Sequence, residues 1–368
     1  MSALLKNPLI LYDVNSMYAW AMTQEIPDKL YCQLGPNYKG KIPLNRCGFV
    51  RCDVFVPDMP IPPLPYRQGK LLFPTGFLTG TWSTVELRQA VKMGVKILRH
   101  HESVYFKTQK PFLDYVTTMF KYRDKESPAY NEAMSTIAKL IINSTYGKFG
   151  MGSLREAIHV NPELEQVISR HMRPMEAAVS LPVFVEDLSI ETDYMLPHIA
   201  AWITALARVR LLEGLLLLPA LSLWYCDTDS IVTSARLPPA MVGLKLGQFK
   251  IEEWPKSCGG GLMDNIVKAE FIAPKVYSLT GTKKGQVKAK AKGFSQFGGG
   301  NRLTPDSIDK LKGGGGLLCS RFSKCRTVIR GKFGLLKGEK HLLMKSEKRI
   351  YRKDGSSVPI HIVEESNK

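Results

Sequence analysis

The stretch ALSLWYCDTDSIVTSA, residues 220–235, decides the fold. Two apolar half-strands flank an acidic turn, the pattern of a hairpin that carries Asp227 and Asp229 at its tip. Working outward, LILYDV at 9–14 reads as a short buried strand with a further carboxylate, Asp13, at its end, before the turn-forming Asn15 and Ser16. Carboxylates converging from separate strands suit phosphoryl transfer by two metal ions, because two hard cations roughly 3.5–4 Å apart must be bridged and neutralised. Either turn alone says little, since aspartate is common in turns for conformational reasons.

Between these two segments lies KLIINSTYGKFG, residues 139–150, with helical periodicity that Gly147 is expected to break. At about 100° per residue, Lys139, Asn143 and Tyr146 share one face, while Ala133, Ile137, Leu140 and Ile141 gather on the opposite, core-forming one. A lysine, an amide and an aromatic ring aligned over two turns suit an incoming nucleotide. Lys139 would take its phosphates, Tyr146 would lie against base or sugar, and Gly147 would let a base pair approach the backbone. An amphipathic surface helix would show the same spacing.

The rest of the chain bounds the class. With 368 residues and 44% hydrophobic content it can bury several cores. The 51 Lys+Arg against 33 Asp+Glu give a formal charge of +18, which points to a polyanionic partner, nucleic acid first. The seven cysteines are scattered without a CxxC pair, so neither a disulfide framework nor a zinc site is expected. The apolar run at 211–224 is interrupted by Glu213 and Pro219, and the N-terminus lacks a signal-peptide pattern; a soluble, intracellular monomer without membrane contact is expected. Residues 50–80 are rich in proline and glycine and read as extended; 84–94, 111–123 and 198–217 read as helix. After 280, glycine and lysine dominate, as in hinges around a small basic lobe.

Together, LYDVNSMY, KLIINSTYGKFG and YCDTDS resemble, in order and spacing, motifs A, B and C of family B DNA polymerases, most closely the protein-primed branch of bacteriophages, adenoviruses and linear plasmids. The resemblance implies an α+β right-hand fold with an antiparallel-sheet palm, helical fingers and a small thumb. It implies Asp13 and Asp229 as holders of two Mg2+ ions, for which Mn2+ can substitute, with Val14 a further metal contact and Asp227 a supporting catalytic acid. Ser16, Met17 and Tyr18 would line the nucleotide, Tyr18 as steric gate against a ribose 2'-hydroxyl. Arg123 or Lys125 would supply a second phosphate-binding base. EFIAPKVYSL at 270–279 looks like the KxY segment, giving Lys275 and Tyr277 near the primer end. ITALAR at 203–208 gives Thr204 and Arg208 as DNA contacts, KAKAKGF suggests Lys290, and Ser16 also touches DNA.

The implied organisation is palm at 1–74, a first insertion contacting a priming protein at 75–115, fingers at 116–150, and a second insertion for processivity and strand displacement at 151–197. Palm resumes at 198–294, and a thumb-like lobe occupies 295–368. The partners are template and primer DNA, deoxynucleoside triphosphates and a terminal priming protein, in a bacterial cytoplasm or the host compartment of a virus or linear plasmid. Two departures stand out: Ala19 replaces the proline that usually follows the motif A tyrosine, and only twelve residues precede Asp13, too few for a proofreading exonuclease domain. The competing expectation is a degenerate polymerase kept as a DNA-binding scaffold, which would have no use for clustered carboxylates that repel one another. Reverse transcriptases also pair acids in a turn, but the DTD spacing and the KLIINSTYGKFG helix disfavour them.

Overall fold

The computed structural model describes residues 7–124, 126–152, 154–175, 181–189, 195–291, 317–326, 333–342, 347–354 and 356–363. The chain is α+β, and strand pairing between its elements is antiparallel apart from one short C-terminal strand. β1 (Ile10–Val14) is buried except at Asp13. Ser16, at a left-handed φ of 47°, turns the chain into α1 (Met17–Met22), which buries Met17, Ala19, Ala21 and Met22. The prolines and glycines that follow give strands: β2 (Ile26–Leu34), β3 (Gly48–Val56), the hairpin β4 (Tyr66–Gln68) and β5 (Lys70–Leu72), and β6 (Thr75–Ser83). α2 (Thr84–Lys92) starts where the Ser83 hydroxyl accepts the Glu86 N–H, and β7 (Lys96–Gln109) returns from it.

β2, β7, β3 and β6 hydrogen-bond side by side in that order. On β3 the period of two is explicit: Val50, Cys52, Val54 and Val56 face a core shared with Leu87 and Ala90 of α2. The β3–β6 ladder, Phe49↔Ser83 through Val56↔Gly76, spans the boundary expected between residues 74 and 75. Residues 26–109 therefore belong to one unit, the sheet β2-β7-β3-β6 with one helix on it and the β4–β5 hairpin beside it, since cutting there would orphan a full ladder of backbone groups.

α3 (Leu113–Lys121) and α4 (Glu132–Phe149) follow. Two expectations about α4 are corrected. The helix runs through Gly147 and stops at Gly150, because a single glycine costs a helix only about 1 kcal/mol. Its buried residues are Ala138 and Ile142, whereas Ile137, Leu140 and Ile141 are exposed. α4 meets α1, α3 and α6 along a narrow stripe that ends in Tyr146 and Phe149, so the broad apolar face points away from the body of the protein.

β8 (Leu154–Val160), α5 (Leu164–Ser169), β9 (Arg173–Met175) and β10 (Val183–Ser189) make a separate three-stranded sheet, β8-β10-β9. α6 (Pro197–Leu216) has proline in its first turn and little amphipathicity, because it is the central helix: α1, α2, α4 and β2 all pack on it. β11 (Leu223–Asp227) and β12 (Ser230–Thr233) form the acidic hairpin, and β13 (Phe249–Ile251) completes the sheet β11-β12-β1-β13. β14 (Ile266–Ala273), β15 (Val276–Gly281) and β16 (Val287–Ala291) form a meander whose Ile266, Tyr277 and Leu279 share a core with Leu9, Leu11 and Val232. Further on come the pair β17 (Leu317–Arg326) and β18 (Phe333–Leu342), the pair β19 (Ile350–Tyr351) and β20 (Ser357–Val358), and β21 (His361–Ile362). β21 lies parallel to β6, and the Thr75 N–H donates to the Ile360 carbonyl at 2.9 Å. Most of the lobe expected at 295–368 lies outside the described residues.

Gly247, just before β13, has φ 79°, and a Cβ there would stand 2.2 Å from Trp20 Cδ1. Its N–H donates to the Asn15 carbonyl, so the backbone cannot retreat. Gly247→Ala is expected to cost about 2–4 kcal/mol, from left-handed strain plus overpacking. Gly259→Ala, at φ 90° with nothing within 4 Å, should cost only the strain, about 1–2 kcal/mol. Urea midpoints of the two variants check this; equal midpoints would remove the steric part of the argument.

Candidate active site

The central sheet sets the acidic residues by register. Asp13 on β1 stands opposite Ser230 of β12 on one side and Lys250 of β13 on the other, while Asp227 also pairs with Ser230. The Val14 N–H donates to the Asp229 carbonyl at 2.8 Å, which ties the hairpin tip to the end of β1. Thr228 closes the turn at φ 57°, an unusual conformation for a β-branched residue, and its hydroxyl bonds to Asp227 Oδ1 at 3.0 Å. Ser16 and Lys275 are also left-handed. Strained backbone of this kind gathers where geometry is held for a purpose.

The three aspartates are treated differently. Asp227 is neutralised by Lys275 Nζ at 3.0 Å, and that lysine is braced by its own N–H donating to the Tyr225 hydroxyl at 2.8 Å. Among the described residues Asp13 has only Lys250 Nζ within ion-pair distance, 4.0 Å away and shared with Glu252, and burial followed by repulsion from Asp229 and Glu252 pushes its carboxyl up to about 7. Asp229 is also raised, chiefly by burial, and among the described residues no cation lies within ion-pair distance of it. Two half-buried carboxylates whose charge the protein leaves uncancelled are a fit for hard divalent cations. Among the described residues no group of three or more acidic, His or Cys side chains is placed to hold a metal ion by itself.

The raised Asp13 gives a stability test in chelator. Unfolded Asp13 loses its proton near the ordinary 3.8 while the folded carboxyl keeps it to about 7, so this group's contribution falls as pH rises through that window. Asp13→Asn does not titrate. Its Tm relative to the parent chain should therefore climb between about pH 4 and 7 and level off above that; a constant difference across the range would refute the shift.

Tyr18 on α1 stacks on Tyr146 of α4, ring centroids 4.4 Å apart and planes 12° apart. Burial, then Tyr146, pushes the Tyr18 phenol up to about 12. Arg123 Nη1 donates to Ser16 Oγ at 2.7 Å, which brings it, of the two basic candidates, to the end of β1; Lys125 lies outside the described residues. Met17 is buried in the core beneath the sheet. Lys139, Asn143 and Gly147 are exposed on α4, and nothing lies within 4 Å of a Cβ at Gly147. Thr204 returns its hydroxyl to the Ala201 carbonyl, and Arg208 Nε donates to the buried Glu86 at 2.7 Å. Tyr277 is buried against Tyr225 and Phe271; burial, then the carboxylates above it, raise its phenol to about 12. Lys290 faces Tyr277 across β15 and β16, and its charge reaches Asp229.

Sequence reasoning missed Lys250, Glu252 and Lys288. Glu252 and Lys288 both act electrostatically on Asp13, and Lys288 is itself lowered, first by burial. The alternation in FKIE at 249–252 put Lys250 and Glu252 on one face, but three paired residues are too short for a strand to be read from sequence alone. Glu86 was missed as well, since nothing local links it to residue 208.

Comparison with known proteins follows this geometry. Residues 2–173 match the family described as DNA polymerase type B, organellar and viral. A probable DNA polymerase of Podospora anserina is 25% identical over 304 residues, covering 73% of this chain and 24% of that protein. One of Ascobolus immersus is 30% identical over 283 residues, covering 72% and 22%. The chain thus spans about a quarter of the length of these curated relatives. Among solved structures, phi29 DNA polymerase superposes with a TM-score of 0.62 at 16% identity, over 94% of this chain and 61% of that one. Its complex with primer-template DNA and incoming nucleotide gives 0.61 at 17% identity, over 94% and 60%.

Proposed function

Because the chain belongs to the type B DNA polymerases of organellar and viral kind, we propose that it adds deoxynucleotides to a 3'-hydroxyl under the direction of a DNA template. The observation that carries this reading is the pair Asp13 and Asp229, held together by sheet register with their charge uncancelled, beside the stacked Tyr18 and Tyr146. Two Mg2+ ions, when bound, would lower the pKa of the attacking hydroxyl and stabilise the departing pyrophosphate. The chain's residues do the rest. Asp13 and Asp229 offer hard oxygens to the ions, alongside the Val14 backbone. Asp227, paired with Lys275, fixes the turn rather than giving up its charge.

Lys139 and Arg123 would take the triphosphate, with Asn143 on the α4 face between Lys139 and Tyr146. Tyr18, pinned by its stacking partner, fills the space a 2'-hydroxyl would need, and Ser16 and the Met17 backbone form the wall beside it. Gly147 leaves room for the new base pair. Tyr277 and Lys290, with Lys275, line the primer end, and Thr204 and Arg208 the DNA beyond it. In this reading the central sheet and the β14–β16 meander are the palm, α3 and α4 the fingers, and β8–β10 the second insertion. The sheet of residues 26–109 carries the contact with a priming protein, whose hydroxyl can replace the primer end. The deciding experiment supplies the chain with template, labelled deoxynucleotides and Mg2+, with a DNA primer or with a hydroxyl-bearing protein. Template-dependent extension is expected; retention of DNA in a gel shift without extension under any primer or metal would favour a scaffold.

A further inference from the structure

Glu86 is 4% exposed, yet it places a carboxyl group at the junction of two structural units. α2, on which it sits, is anchored through Leu87 and Ala90 to the sheet of residues 26–109. Its counter-ion, Arg208, is on the central helix α6 and belongs to the other side of that junction. Each carboxylate oxygen has one partner: Oε2 accepts the Ser83 hydroxyl at 2.8 Å, and Oε1 accepts Arg208 Nε at 2.7 Å. Helix capping alone does not explain this. In a capping box the glutamate side chain reaches back to the backbone N–H of the N-cap residue, whereas here it takes the hydroxyl and spends its other oxygen on the arginine.

The arrangement at Arg208 is one-sided. Guanidinium carries five N–H donors in a rigid fork, and among the described residues only Nε–H is engaged. The side chain remains about one-third exposed (32%), with its charge felt at the Tyr18 phenol. The Nη groups are thus free while the guanidinium is fixed by a buried partner that cannot move without leaving an uncompensated charge in the core.

We propose that Glu86 is a positioning residue: it clamps Arg208 by its Nε so that the two Nη groups are presented, beside Tyr18, to the sugar–phosphate backbone of bound DNA. The clamp rests on the polymerase reading for what Arg208 touches, but not for the clamp itself. It also ties the 26–109 sheet to DNA held over the central sheet, since a displacement of α2 moves the guanidinium with it.

The test is a double-mutant cycle read as binding of a fluorescent primer–template duplex by anisotropy in Ca2+ or chelator, so that no turnover is needed. Glu86→Gln keeps the shape and a hydrogen-bonding oxygen for Ser83 while removing the charge. It is expected to weaken binding about tenfold, as Arg208→Ala does, and the double variant should be no weaker than Arg208→Ala alone. Additive losses, or an unchanged affinity in Glu86→Gln, overturn the proposal. Tm values report folding separately: a Glu86→Gln chain with lowered Tm and parental affinity makes the residue a structural ion pair only. In primer extension the same variant should raise KM for primer–template with kcat and KM for deoxynucleotide nearly unchanged. If the parent chain binds DNA but never extends it, the polymerase reading fails while the cycle still judges the clamp. A parent chain that does not bind duplex overturns both.

Discussion

Asp229→Ala is expected to abolish nucleotide incorporation, with a loss of at least about a thousandfold, or about 4 kcal/mol of barrier, while primer–template affinity stays within about twofold. The asymmetry follows from how the site is built. The Asp229 carboxylate makes no ion pair among the described residues, whereas its backbone carbonyl accepts from Val14 and its N–H donates to the Asp227 carbonyl. Alanine keeps both backbone bonds, so the hairpin stays in register and the lysines proposed to contact phosphate keep their places. Removing one of two mutually repelling acids also relieves strain, so the variant should melt no lower than its parent. Single-turnover extension with Mg2+, beside anisotropy binding, measures both halves. Incorporation near the parental rate would remove Asp229 from the reaction, and lost DNA binding would make it structural.

Tyr18→Ala is expected to lower discrimination against ribonucleotides by about a hundredfold, equivalent to about 2.7 kcal/mol. The ring is not a free rotor: it lies 4.4 Å from Tyr146 at an interplanar angle of 12° and packs against the core that α1 shares with α4 and α6. A gate works only if it cannot swing aside, and the proposed one is held from the α4 side. Tyr18→Phe, which keeps the stacking ring and loses the hydroxyl, should retain most of the discrimination. Extension with matched ribo- and deoxynucleotides reads the ratio directly; unchanged selectivity in Tyr18→Ala would place the gate elsewhere.

What could be read from the sequence was local. LILYDV and WYCDTDSIV each encode a strand and a turn within a few residues, so β1 and the acidic hairpin were legible from period-two alternation and turn chemistry. The long helix was legible too, but not its orientation. Ile137, Leu140 and Ile141 look like a core face only if something covers them, and the neighbours of α4 approach along Ala138, Ile142 and Tyr146 instead. Amphipathic periodicity reports which face is apolar, not which face is met. Glu252 and Lys250 join Asp13 through a three-residue strand, and Glu86 joins Arg208 across a span of 122 residues; neither pairing leaves a trace in local pattern. The match to type B DNA polymerases covers residues 2–173 and stops before the acidic hairpin, which the folded geometry then brings to Asp13.

β1 sits between β12 and β13, strands that follow it by more than two hundred residues. On a ribosome adding roughly 5–20 residues per second, the apolar strand ILYDV would wait some tens of seconds with both hydrogen-bonding edges open before its neighbours emerge. During that interval it is a template for any passing strand. Topology of this kind also makes the search for the native pairing slow, because the loop must close before the contacts repay its entropy. The sheet that carries the proposed chemistry thus cannot become whole until β13, more than two hundred residues after β1, has been made. Yield of active protein should be limited less by how stable the finished sheet is than by how well β1 is shielded until it can form.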